Sequence, residues 1–218
     1  MSNPAYLVAG FCLTLIRSDF MHNCFLGLWL VSCGNIIMEL FNLFHFSVGT
    51  FPLHQRLHFM FLSLQAYARR HRLHLDLSTF TLASLGHPSD TVHPELHCKG
   101  HDVRVIIGWL AEECARACDV HTPTGKCRLA VARSQLELCL AVEQAPRYLT
   151  NPDHLARIQT AGYDFLDLYT ALAERCREAD VPRWKLLRKT HPLIHLLEDA
   201  GRDLQNFRFF RVGRTSRS

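Results

Sequence analysis

The sequence contains no glycine-rich phosphate cradle. Neither Gly-x-Gly-x-x-Gly nor a Walker-type loop occurs, so a nucleotide-dependent enzyme is disfavoured. No Gly-x-Ser-x-Gly elbow occurs either, which removes the strand–nucleophile–helix signature of one large hydrolase class. No stretch alternates apolar and polar residues for long enough to build a sheet, and no internal repeat is present. Charge is sparse: Asp, Glu, Lys and Arg make up 20% of 218 residues, with a net charge of +4. Dedicated nucleic-acid binders usually concentrate more basic charge on one face. The N-terminus has no basic n-region, and Arg17, Asp19 and His22 soon interrupt its apolar run, so no secretory signal is read. The nine cysteines are odd in number and scattered from Cys12 to Cys176, too dispersed for a disulfide scaffold. Free thiols acting as small buried hydrophobes, in the cytoplasm or nucleus, are the favoured reading.

What is present reads as helix. After an apolar run from Leu7 to Ile16, Ser18 or Asp19 can cap a helix over about 20–44. Gly49 and Pro52 break the chain. Leu53, Leu57, Phe61, Leu64 and Tyr67 then recur at helical spacing, and Arg69, Arg70 and Arg72 complement the dipole at the far end. A short helix over 79–85 and a long polar loop over 86–100 follow. Asp102 caps a helix reaching about 119. Thr122-Pro123-Thr124-Gly125 reads as a turn, and 128–144 as a helix ended by Pro146. Asn151-Pro152-Asp153 starts a helix to about 179, and a last one over 191–200 stops at Gly201. The expected fold is all-α, an irregular bundle of about six to seven helices. It is a single helical domain over 1–204, with an apolar segment over 1–50 and a bundle over 53–204. A basic, disordered tail follows over 205–218.

The segment over 24–46 is apolar and long enough to cross a bilayer. It also carries Asn35 and Glu39, four residues apart on one helical face, and a charge in mid-span costs about 2.5–3.5 kcal/mol. A buried core helix fits the same residues. The polar loop and the helix after it hold candidate zinc ligands in His97, His101, Cys114 and Cys118, although the spacing matches no standard finger. The bland reading places Cys114 in the core and the histidines in a loop. Lys185, Arg188 and Lys189 beside Trp184, with Arg211 and Arg214 in the tail, are candidates for contact with a nucleic-acid backbone. A solvated edge anchored by one tryptophan is the competing reading. Asp19 and His22 lie three apart at a helix start, where they can share a metal or a proton.

Three strings occur together: Ser18-Asp19-Phe20-Met21-His22 before a long apolar helix, Lys99-Gly100-His101-Asp102 before Trp109-Leu110, and Trp184-Lys185-Leu186 with Lys189, His191 and His195. Their order over about 15–210 resembles an uncharacterised multi-copy protein family of dinoflagellate genomes. That family is in turn similar to cut-and-paste transposases with an RNase-H-like core. The resemblance implies that Asp19 and His22 correspond to an Asp-x-x-His signature, and that the helices over about 53–200 correspond to a helical insertion domain. In such enzymes three acids hold two divalent metals. Here no segment before Asp19 supplies the first strand and acid. Asn206-Phe207-Arg208-Phe209-Phe210 runs into arginines where an acidic stretch is expected.

The expectation is therefore a non-catalytic, truncated piece of transposase-like origin. Asp19 and His22 are vestigial and no cofactor is bound. Nucleic acid meets the basic C-terminal third, or a protein partner covers apolar surface. The alternative is a membrane-anchored helical protein with its span at 24–46.

Overall fold

The computed structural model describes residues 20–46, 51–86, 91–145 and 151–202. Six α-helices and one π-helical segment occur, with no strand among the described residues. The π segment Met21–Leu28 runs into α1, Trp29–Asn42. Then follow α2 (Leu53–Arg70), α3 (Gly100–Arg116), α4 (Pro123–Gln144), α5 (Pro152–Glu178) and α6 (Thr190–Arg202). The expected all-α bundle is what forms. The basic tail, with Arg211 and Arg214, lies outside the described residues, as does Asp19.

Helix α1 is buried along most of its length. Trp29, Cys33, Ile36, Ile37 and Leu40 are fully buried along one side of the helix, and Val31, Asn35 and Met38 are buried on the others. A buried side chain of this size contributes about 1.5–3 kcal/mol, so the burial of α1 outweighs the desolvation of the few polar groups it carries. The stretch His22–Asn42 is long and apolar enough to cross a membrane, yet 83% of its most apolar window is buried inside the protein. Its buried Ser32 and Asn35 side chains have partners, while the Trp29 indole N–H has none among the described residues. Ser32 Oγ donates to Gln135 Oε1 at 2.8 Å, and Asn35 Nδ2 donates to the Val31 carbonyl at 2.8 Å.

Helices α4 and α5 share the most extensive helix–helix interface. Arg157, near the start of α5, bonds Glu137 and Gln144 near the end of α4, while Arg175, near the end of α5, reaches Thr124 at the start of α4. The two helices therefore run antiparallel. Helix α1 also runs antiparallel to α4, since Ser32 meets Gln135 and Glu39 meets Arg128.

Local chemistry explains the starts of α4 and α5, and other helix ends depart from expectation. Asn151 caps α5 by accepting from Asp153 N at 2.8 Å, with Pro152 at the first helical position. Thr122 does the same for α4, accepting from Gly125 N at 3.0 Å. The Thr-Pro-Thr-Gly string is thus the first turn of α4 rather than a free turn, because Pro123 lacks the N–H that the first helical position leaves unbonded. Asp102 does not cap α3: Lys99 is the flanking residue, and the Asp102 carboxylate instead accepts from Asp76 N at 2.8 Å. Residues 82–86 form turns, not a helix. They end at Gly86, whose φ of +58° and closeness to the Glu95 carbonyl require glycine. Helix α6 continues through Gly201 to Arg202.

The loop after Gly86 packs directly on α1. Leu96 N donates to the Leu30 carbonyl at 2.9 Å. A Cβ on Gly34 would stand 3.0–3.1 Å from backbone atoms of Pro94, Glu95 and Leu96, so this close approach depends on the missing side chain.

Candidate functional site

The residues singled out by sequence do not assemble as expected. His22 is exposed, and its carbonyl accepts from Lys189 Nζ at 3.3 Å. Lys189 also donates to the Leu26 carbonyl at 2.8 Å, and Lys185 pairs with Glu95 at 3.2 Å. Two of the three described basic candidates are therefore engaged within the fold, and Arg188 stands exposed. His101 and Cys114 lie near opposite ends of α3, about 20 Å apart at 1.5 Å per residue. They cannot share one ion, so the grouping of His97, His101, Cys114 and Cys118 does not form. Cys114 is wholly buried and Cys118 exposed. Burial pushes the Cys98 and Cys114 thiols up to about 12, the opposite of what a nucleophile or metal thiolate requires.

The polar face of α1 leads to a site that the sequence only hinted at. Asn35 and Glu39 both turn toward Trp184. The Trp184 backbone N–H donates to Asn35 Oδ1 at 2.9 Å, and its indole Nε1 donates to Glu39 Oε1 at 2.6 Å. Trp184 is fully buried and meets Tyr169 edge-on, with ring centroids 5.5 Å apart. Tyr169 Oη in turn donates to the Lys185 carbonyl at 2.6 Å. These bonds hold Trp184 at a φ of 51°; Asp180, at 52°, lies in the turn that closes α5, where Val181 N donates to the Cys176 carbonyl at 2.9 Å. A bulky residue in that region costs about 1–2 kcal/mol, and such strain persists only where surrounding contacts over-determine it.

The second oxygen of Glu39 meets Arg128 Nη1 at 3.3 Å, and Arg128 Nη2 bonds Asp119. Arg128 is 1% exposed, yet its Nε is buried with no hydrogen-bond partner. Glu39 keeps 18% of its side chain exposed. Burial raises its pKa above the ordinary glutamate value, and the Trp184 bond and the Arg128 charge only partly oppose that.

Glu39, Asp119 and Arg128 line a cavity of about 440 Å³ between α1, α4, α5 and the 179–183 loop. Arg175 and Arg183 complete its charged wall, while Leu43, Leu172 and Val181 supply an apolar one. The wall thus sets three arginines against two acids. Among the described residues neither Arg175 nor Arg183 pairs with a carboxylate. Arg175 makes a long 3.4 Å contact to Thr124 Oγ1, and Arg183 donates to the Pro182 carbonyl at 3.3 Å. Cys176 also lines the cavity, and burial followed by the Glu39 charge raises its thiol pKa. The arrangement is suited to holding an anion against an apolar surface, and its thiol is suppressed rather than activated.

The signal for this site was the Asn35–Glu39 spacing on an otherwise apolar helix. Nothing local marked Arg128, Asp119 or Arg183 as their neighbours. Comparison with protein-family models, with curated proteins and with solved structures found no match to this chain.

Proposed function

We propose that this chain is a non-catalytic helical binding protein whose site is the arginine-walled cavity between α1, α4 and α5. Its ligand is a small molecule with an anionic head, a phosphate or a carboxylate, and an apolar body. The observation that carries this reading is the pair Arg175 and Arg183. Both line the cavity without a carboxylate partner among the described residues, while Arg128 behind them is held by Glu39 and Asp119. A guanidinium fork matches the oxygens of a phosphate or carboxylate, and the volume lies within the usual range for ligand pockets, about 300–1,000 Å³.

The kinship with the helical insertion of RNase-H-like transposases belongs to this proposal as the origin of the scaffold. Its support is the all-helical architecture together with the strings near residues 18–22, 99–102 and 184–195. The burial of α1 and the hydrogen bonds of Ser32, Asn35 and Glu39 to the rest of the fold support a core role for that helix over the membrane-anchored alternative. Nucleic-acid contact through the basic third is less well supported, because Lys185 and Lys189 are held by Glu95 and by backbone carbonyls.

The test is a panel of alkyl and aryl phosphates and carboxylates, read by thermal shift and calorimetry. Ligands bearing both a charged head and an apolar body should raise Tm. The double variant Arg175→Ala/Arg183→Ala should abolish that gain, and Arg188→Ala should leave it intact. A panel with no binder, or binding untouched by the double variant, rejects the reading.

A further inference from the structure

Away from the cavity, the loop after α2 and the first turn of α3 bring four metal-ligating side chains together. His74 Nε2 lies 2.6 Å from Asp76 Oδ1. His101 Nε2 lies 3.2 Å from Asp76 Oδ2 and 3.2 Å from Asp102 Oδ1. One ligand atom each from His74, Asp76 and His101 falls within 4.8 Å of the others. Ligand atoms in a tetrahedron around zinc stand about 3.4 Å apart, given bonds of about 2.1 Å, so the cluster already has nearly the right dimensions.

A second observation points the same way. His101 Nε2 is buried and makes no hydrogen bond, although two carboxylate oxygens flank it. Buried ring nitrogens are normally partnered, and one left between two oxygens at ligand–ligand spacing is placed as a metal ligand is. The scaffold is also preset. Asp102 is 2% exposed and holds the loop through Asp76 N, and the His74 and His101 rings stack 17° from parallel.

We propose that His74, Asp76 and His101 bind one divalent transition-metal ion of the zinc class, with solvent completing its coordination. Two imidazoles and a carboxylate suit such ions, and three protein ligands leave a position open. Lys99 Nζ sits 2.9 Å from Asp76 Oδ2, so the ammonium and the ion compete for one carboxylate. The N-terminal end of α3 opposes a cation through its dipole, and the Asp76 and Asp102 charges offset this. The ion ties the loop after α2 to the start of α3, which makes it a staple between two helices distant in sequence.

Cobalt titration of the full chain tests the site. One equivalent of Co²⁺ should give visible d–d bands without a near-ultraviolet thiolate charge-transfer band, and Zn²⁺ should displace it. His101→Ala and His74→Ala should each weaken binding by at least about tenfold. Lys99→Ala should tighten it, and Cys118→Ser should not change it. The His74 side chain is 80% exposed, so its removal tests ligation with the fold intact. Zn²⁺ should raise Tm in the parent chain and not in His74→Ala. A spectrum dominated by thiolate bands, no binding of the equivalent, or an affinity indifferent to His74→Ala overturns the proposal.

Discussion

Two glutamates, Glu39 on α1 and Glu113 on α3, sit in buried networks of nearly the same parts. Each faces an arginine, and each network includes a tryptophan N–H. Around Glu113 the polar groups close on one another. His45 Nε2 lies 2.7 Å from one oxygen, Ser63 Oγ donates to the other at 2.8 Å, Arg116 pairs with it, and Trp109 Nε1 donates to Ser63 at 3.1 Å. Burial alone would raise the Glu113 pKa, but the His45 and Ser63 bonds and the Arg116 charge outweigh it and hold the carboxyl below the ordinary value. Around Glu39 the balance is reversed. Its arginine is shared with Asp119, one arginine nitrogen is orphaned, and burial wins. A satisfied network of this kind fixes a core; the incompletely satisfied one lies beside the cavity proposed above as the ligand site.

The largest effect that bears on this contrast comes from Arg128→Met. It leaves Glu39 and Asp119 facing each other without a counter-charge, and removing one partner of a buried pair costs about 3–5 kcal/mol. Urea unfolding measures the loss, and a cost under about 1 kcal/mol would remove Arg128 from its central role. The glutamates come next. Glu113→Gln should cost about 1–3 kcal/mol, because it weakens bonds from His45, Ser63 and Arg116 together. Glu39→Gln should cost no more than about 1 kcal/mol, since an amide oxygen still accepts from Trp184 Nε1. Equal costs would show that the two networks are energetically alike.

The same pair should separate in pH dependence. The folded pKa of Glu113 lies below its unfolded value near 4.5, so its contribution is present above that value and is lost as pH falls through the folded pKa. The folded pKa of Glu39 lies above its unfolded value, so its neutral form favours folding at low pH and that contribution is lost as pH rises through the folded pKa. Denaturation midpoints across pH should show Glu113→Gln flattening the acid limb and Glu39→Gln flattening the limb above it. An unchanged profile in either variant would assign that limb to other groups. The smallest effect on stability belongs to Arg175→Ala and Arg183→Ala. Each should stay within about 0.5 kcal/mol of the parent while ligand binding is lost, which denaturation and calorimetry on the same samples can separate.

Much of the fold was legible in the sequence, and the candidate site hardly at all. The Asn151-Pro152 start of α5 and the cations closing α2 are signals that act within one helical turn, so composition carries them. The Thr122-Pro123 string reads locally as a turn, because proline is ambiguous until the chain beyond it is known to be helical. Asn35 and Glu39 were visible as a polar face, but their partner Trp184 lies 145 residues beyond Glu39. His101 was visible in the sequence, but the side chains the fold brings to it are not His97 or the cysteines; they are His74 and Asp76, on a loop that only packing returns to α3.

The sequence by itself determined that this protein is helical, where most of its helices begin, and that its central apolar segment carries a polar face. Helix periodicity and capping depend on neighbours within a few residues, and those are written in order along the chain. The tertiary structure alone decided which buried charges meet, which arginine nitrogen is left unpaired and which histidines share an ion-sized gap. Those outcomes depend on distances of a few ångströms between segments remote in sequence, which are set by how the helices and loops pack.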